Sequence, residues 1–286
     1  MGRDLYEGSA AARATFDRAD AVLDRPISTL CFEGSDAELA LTSNSQPAIY
    51  TTSVACLKAA REAGVLAHPP AFVAGHSLGE YSALTAAEAL DFEDGLRLVE
   101  TRGRLTQAAA DACPQGMAAV LGLDLAEVEQ VVAEAGAEVS NINAPGQVVI
   151  GGAKDAVARA IALAQARGAR RAVALDVGGA FHSSLMRPAV DGMREALAAV
   201  KLRTPRVPFV ANDRGRVLAE PDAIREELLY QLTHPVCWVD CVRHMADAGV
   251  TRFVEIGPGR VLTGLVKRII PGAETVNINR MKALRP

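Results

Sequence analysis

The chain has 286 residues, half of them apolar and 22% charged, a length and balance that suit one large or two modest domains with a full core. A formal charge of −4 and a pI near 5.8 argue against nucleic-acid binding, while leaving room for a local basic pocket that takes an anionic substrate. No run approaches the ~18 apolar residues of a membrane span and no leader opens the chain, so a protein of the cytoplasm, away from membranes, is expected.

The first residues, Met1-Gly-Arg-Asp-Leu-Tyr6, read as the start of a helix running to about Val22, with no strand before it. A second helix is predicted over 42–64, with Ser45-Gln46-Pro47 supplying a cap and a first-turn proline and Gly64 the stop. Then comes a short apolar strand, 71–74, that runs into Gly75-His76-Ser77-Leu78-Gly79 and a helix-forming run over 80–90. Gly-x-Ser-x-Gly between a strand and a helix is the setting of a nucleophile elbow. Its two glycines are expected to permit a turn sharp enough to present the Ser77 hydroxyl at a helix N-terminus, where free N–H groups favour a developing oxyanion. An ordinary Gly-rich strand-to-helix turn is the plain alternative.

In the helix predicted over 92–110, Phe92, Leu96, Leu98, Val99 and Leu105 share one arc and Arg102 falls inside it. A buried guanidinium needs an anion. The alternatives are an Arg that snorkels to solvent or pairs with a protein Asp or Glu, and a fork that binds a substrate carboxylate bidentately.

From Gly116 a strand (117–121), a helix (124–135, capped by Asp124 and stopped by Gly136), two strands (138–143 and 147–151), a helix (155–167) and a strand (171–177) follow in turn. This βαββαβ order is the split ferredoxin-like unit, expected as a small domain at 116–180 inserted in a larger one made of 1–115 and 181–286. His182, in Gly178-Gly-Ala-Phe-His-Ser-Ser-Leu-Met186, sits at the seam of the two and is the candidate base for Ser77. His68, His76, His234 and His244 are less favourably placed. Beyond it, α/β texture returns: helices at 188–200, 221–232, 241–248 and 261–269, and strands at 207–211 and 252–256. Gly257-Pro258-Gly259 lacks the Lys-Ser/Thr of a phosphate loop and reads as a structural turn. The five cysteines are scattered, with no zinc-type cluster, and read as reduced core thiols. No metal or cofactor is expected.

Gly75-His-Ser-Leu-Gly-Glu80, Arg102-Gly103, Asn141-Ile-Asn-Ala-Pro-Gly-Gln147, Gly179-Ala-Phe-His-Ser183, Gln231-Leu-Thr-His-Pro-Val-Cys-Trp238 and Glu255-Ile-Gly-Pro-Gly259 occur in that order. With them the chain resembles, from Met1 nearly to its last residue, the malonyl-CoA:acyl carrier protein transacylases. The resemblance implies an α/β-hydrolase-like parallel-sheet domain carrying the ferredoxin-like insertion. It implies that Ser77 takes malonyl from a coenzyme A thioester as an ester, then passes it to the phosphopantetheine thiol of an acyl carrier protein of fatty-acid or polyketide synthesis. By the same resemblance His182 is the acid–base, oriented by the backbone carbonyl at Gln231 in place of a triad carboxylate. Arg102 holds the malonyl carboxylate, the Leu78 N–H is one oxyanion donor, and Phe181 matches members that take malonyl over methylmalonyl. A monomer that docks its acidic carrier on a positive rim is expected.

The family begins with a strand and a Pro-Gly-Gln-Gly-Ser-Gln run whose first Gln is the second oxyanion donor. Met1–Tyr6 matches only the family residues after that run, so the first strand of the large domain is expected upstream of this sequence. Two readings compete: a serine hydrolase or thioesterase of α/β type, which needs an Asp or Glu for its His and gives Arg102 no role, and a carrier-binding shell without activity.

Overall fold

The structure is a computed structural model and describes residues 1–284. The N-terminal part is helical: α1 (Arg3–Gly8), α2 (Ala10–Leu23), α3 (Ile27–Glu33), α4 (Asp36–Ala40) and the long α5 (Thr42–Glu62). The single helix expected over 1–22 is thus two. Ser9 adopts an extended backbone and its side chain accepts the Ala12 N–H, so it ends one helix and caps the next. The expected cap of α5 is also different: Leu41 precedes it with no side-chain cap, and Gln46 lies inside the helix, buried.

The chain then forms β1 (Val73–Ala74), α6 (Gly79–Ala86) and α7 (Phe92–Asp111). Helix α6 stops four residues before the expected Leu90, where Glu88 turns left-handed (φ 58) and the N–H groups of Ala87 and Ala89 return to the last turn. No glycine marks that stop. Tyr50, Leu84, Leu96, Leu98 and Phe209 fill the core beneath.

Next come β2 (Gln115–Leu121), α8 (Leu125–Ala135), β3 (Glu138–Ala144), β4 (Gln147–Ala153), α9 (Lys154–Ala166) and β5 (Arg171–Ala174). They make an antiparallel four-stranded sheet in the order β3-β4-β2-β5, with its own apolar cluster around Val128, Val131, Ile150 and Ala160. Asp124 caps α8 in a reciprocal box with Glu127, and left-handed Gly136 closes it. The seam to the rest of the molecule is a backbone bridge, in which Ile142 N–H donates to the Val236 carbonyl and Val236 N–H to the Ser140 carbonyl.

A 3₁₀ turn (Ser184–Ala189) leads into α10 (Val190–Ala198), where one α-helix from Pro188 was expected. The remaining elements are β6 (Phe209–Val210), β7 (Val217–Leu218), α11 (Pro221–Tyr230), α12 (Trp238–Asp247), β8 (Arg252–Ile256), α13 (Val261–Ile269) and β9 (Glu274–Ile278). The larger part is not one parallel sheet. Strand β1 pairs parallel with β6, β7 adds to β6 antiparallel, and β8 with β9 forms a separate parallel pair, so the molecule is α/β with mixed sheets. Strands β7 and β9 and helices α3 and α4 went unread in the sequence. At Gly257-Pro258-Gly259 the N-terminus of α13 is filled by the Glu255 carboxylate, which accepts the N–H groups of Leu262 and Thr263, as a structural turn requires. The cysteines are all free; Cys31, Cys56 and Cys241 are buried and Cys237 half-buried, but Cys113 is exposed and no part of a core.

Candidate active site

Strand β1 delivers the chain to Gly75, where an added Cβ would lie 1.9 Å from the Gly79 carbonyl carbon. Only glycine lets the two limbs of the turn meet so closely. Gly79 itself faces open space, so the two glycines do not share the job the motif suggests. The strained residue is Ser77, held left-handed at φ 54, and His182 shares that conformation at φ 60. Non-glycine residues take this region at a cost and hold it where the surroundings over-determine them.

At Ser77 that surrounding is Asn212, which lies just after β6 in the chain. Its side-chain oxygen accepts the Ser77 N–H (2.7 Å) and its amide donates to the Gly75 carbonyl (2.7 Å), bracing the elbow from both limbs. The Ser77 N–H is thereby committed. The Leu78 N–H makes no hydrogen bond within the described residues and stands at the start of α6.

Ser77 Oγ lies 2.7 Å from His182 Nε2, and His182 Nδ1 lies 2.5 Å from the backbone carbonyl of Gln231. A carbonyl only accepts, so the proton is on Nδ1 and Nε2 is left to accept from the serine. Burial, and then the charge of Arg102, push the His182 pKa down to about 3. Among the described residues no carboxylate meets Nδ1, and the Gln231 carbonyl stands where a hydrolase triad would carry its orienting acid.

Arg102 rises from α7 into the same space and is 5% exposed. Its Nη1 donates to Gln46 Oε1 (2.7 Å), and its Nη2 to Gln231 Oε1 (3.0 Å) and Ser77 Oγ (3.2 Å). These partners are all neutral, and Nε has none among the described residues. Gln46 is aimed by its own donors, Nε2 reaching Thr42 Oγ1 (2.7 Å) and Thr106 Oγ1 (3.1 Å). Among the described residues, then, no carboxylate hydrogen-bonds this buried cation directly.

Ser77, Leu78, Arg102, His182 and Gln231 come together from four separate stretches of chain. Phe181 adjoins His182, half-buried. Three further residues take part that the sequence reading did not single out: Gln46, read as part of a helix start; Asn212, which stood in no motif; and Glu80, which stood in the motif without a role. A long polar residue at a buried position of an apolar helix was the available signal for Gln46. Next to the elbow, His76 Nε2 meets Asn143 Oδ1 of β3 (2.8 Å), tying the small sheet to it. An open cleft of about 480 Å³ lies on the seam, lined by Glu138, Ser184, Arg187, Thr233 and His234 among others.

A serine with a neutral imidazole on its hydroxyl, at a helix start with a free N–H, is built for acyl transfer. The chain belongs to the acyl transferase domain family, whose model matches residues 1–281. It is 44% identical over 284 residues to the malonyl CoA-acyl carrier protein transacylase of Bacillus subtilis, covering 98% of this chain and 89% of that protein. The crystal structure of an acyl-carrier-protein S-malonyltransferase from Burkholderia pseudomallei superposes with a TM-score of 0.94 at 43% identity, covering 98% of this chain and 92% of the other. A malonyl-transacylase solved in complex with its type II polyketide synthase acyl-carrier protein gives 0.95 at 38% identity, over 99% and 93% of the two chains.

Proposed function

We propose that this chain is a malonyltransferase that moves malonyl from coenzyme A to the phosphopantetheine thiol of an acyl carrier protein through an ester on Ser77. The observation that carries the reading is Arg102: a buried guanidinium with only neutral partners, one of its nitrogens against the Ser77 hydroxyl. A malonyl ester on that hydroxyl brings the missing anion. An acetyl ester leaves the cation unpaired, which is a physical basis for selection.

In the first half-reaction Ser77 Oγ attacks the thioester carbonyl carbon and its proton passes to His182 Nε2. The oxyanion is met by the Leu78 N–H. The C–S bond then breaks and the proton goes from His182 to the departing thiolate. In the second half-reaction His182 takes the proton of the carrier's thiol, the sulfur attacks the ester carbon, the C–O bond breaks and Ser77 regains its proton. The Gln231 carbonyl keeps the imidazole in the required tautomer throughout. Phe181, beside His182, is assigned to excluding a methyl branch on the acyl group.

The same reading divides the chain into a catalytic body (1–115 and 181–286) and a ferredoxin-like body (116–180). The enzyme is assigned to fatty-acid or polyketide synthesis, working as a monomer in the cytoplasm.

Intact mass after brief exposure to malonyl-CoA tests this. A malonyl adduct that is absent in Ser77→Ala and is discharged by a phosphopantetheinylated carrier protein is the expected result. Carrier binding that survives Ser77→Ala with no adduct ever trapped would leave only a docking shell.

A further inference from the structure

We propose that Glu80 is a positioning residue for acyl-group selection: its carboxyl group fixes which way round the Gln231 amide lies, and through that amide fixes the Arg102 guanidinium beside Ser77. The inference rests on the reading of Arg102 as the anchor of the malonyl carboxylate.

Glu80 is the second residue of α6 and has no exposed surface. Both of its oxygens accept. Oε1 takes the backbone N–H of Asn212 (2.7 Å) and Oε2 takes Nε2 of Gln231 (2.6 Å). Neither donor atom can itself accept, so position 80 must present two acceptors.

A glutamine amide has a donating and an accepting end. With Gln231 Nε2 committed to Glu80 and, at 3.2 Å, to the Ser77 carbonyl, its Oε1 is left facing Arg102 Nη2 at 3.0 Å. A guanidinium only donates. The reversed amide would set N–H groups against N–H groups in a space closed to water, a buried mismatch that costs more than a missing bond. Gln46 secures the other side of Arg102 in the same way, its direction set by Thr42 and Thr106. Arg102 is thus gripped by two amide oxygens, each aimed from behind, and Glu80 aims the one nearer the nucleophile.

Burial, and next the charge of Glu227, raise the Glu80 pKa well above the usual carboxylate range, with Arg102 acting in the opposite sense. The positioning role holds in either protonation state. A hydroxyl oxygen can still accept a hydrogen bond, and an amide nitrogen cannot. Glu80→Gln therefore keeps the shape and removes one acceptor.

The test compares Ser77 acylation rates with malonyl-CoA and acetyl-CoA, by intact mass, in wild type, Arg102→Ala, Glu80→Gln, Gln231→Leu and the Glu80→Gln/Gln231→Leu double variant. Gln231→Leu retains the backbone carbonyl that orients His182. We expect Glu80→Gln to lower the malonyl-to-acetyl ratio roughly tenfold, Gln231→Leu to lower it comparably, and the double variant to lower it no further than the single ones. An unchanged ratio in Glu80→Gln, or effects that simply multiply in the double variant, would overturn the proposal. Should Glu80→Gln not fold, an unchanged ratio in Gln231→Leu overturns it alone. If Arg102→Ala keeps the wild-type ratio, the anchoring role of Arg102 fails, and this inference with it. Loss of the ratio in Arg102→Ala with none in Glu80→Gln removes Glu80 alone.

Discussion

At the scale of single residues, the site sets a buried cation, Arg102, beside a buried base, His182. Arg102 keeps its cation next to His182, and this, added to burial, holds the imidazole neutral. In the free enzyme a base with a pKa of about 3 stays competent across the whole neutral and mildly acidic range. The acid limb of kcat/KM for malonyl-CoA should accordingly lie well below the ~6.5 of an ordinary histidine; a limb near that ordinary value in the pH–rate profile would contradict the described environment. The same shift has a stability sign. Below about pH 6.5 the unfolded chain takes up a proton that the buried imidazole refuses, so His182 contributes stability above that pH and loses it progressively as pH falls toward 3. Replacing Arg102 by Ala should reduce malonyl transfer by roughly 10²-fold, the scale on which breaking a buried charged contact acts. Steady-state kinetics with malonyl-CoA and acetyl-CoA would report it as a loss confined mainly to the malonyl substrate.

At the scale of elements, the elbow is held by a close approach and a brace. Gly75→Ala forces a Cβ into the Gly79 backbone, where nothing flexible can give way, and should destabilise by a few kcal/mol, the range of overpacked cores. Gly79→Ala meets open space and should leave the melting temperature nearly unchanged. Thermal melts of the two variants separate these outcomes, and equal effects would refute the crowding described. Asn212→Ala orphans the Ser77 N–H and the Gly75 carbonyl together. A loss of about 1–3 kcal/mol is expected for each buried group left unpaired, visible as a lower denaturant midpoint and slower Ser77 acylation. The motif Gly-x-Ser-x-Gly was legible because a strand, a turn and a helix stood in order around it. Which glycine is crowded was not, since that depends on how closely two limbs four residues apart return to each other.

At the scale of the whole molecule, two apolar clusters are separate: one under α5, α6 and α7, the other inside the four-stranded sheet. Ile150→Ala empties a fully buried position of the second and should cost about 2–4 kcal/mol. It should leave the acylation rate of the folded protein close to wild type, because Ile150 lies in an apolar cluster that contains none of the site residues. A melt paired with a single-turnover rate checks both halves of that expectation.

The sequence by itself determined the elements with strong local signals: the capped α8 and its Gly136 stop, the βαββαβ order, and the apolar arc of α7 into which Arg102 intrudes. It also marked Ser77, His182 and Gln231, since each stands in a run of residues whose order along the chain is distinctive. Only the tertiary structure decided how those runs meet. Gln46, Glu80 and Asn212 act through partners 56, 151 and 135 positions away, and a hydrogen bond across such separations leaves no periodicity to read. Strand β9 was missed for the same reason: its pairing with β8 is parallel and non-local, and five residues of mixed polarity do not announce a strand until a neighbour supplies the other half of the ladder.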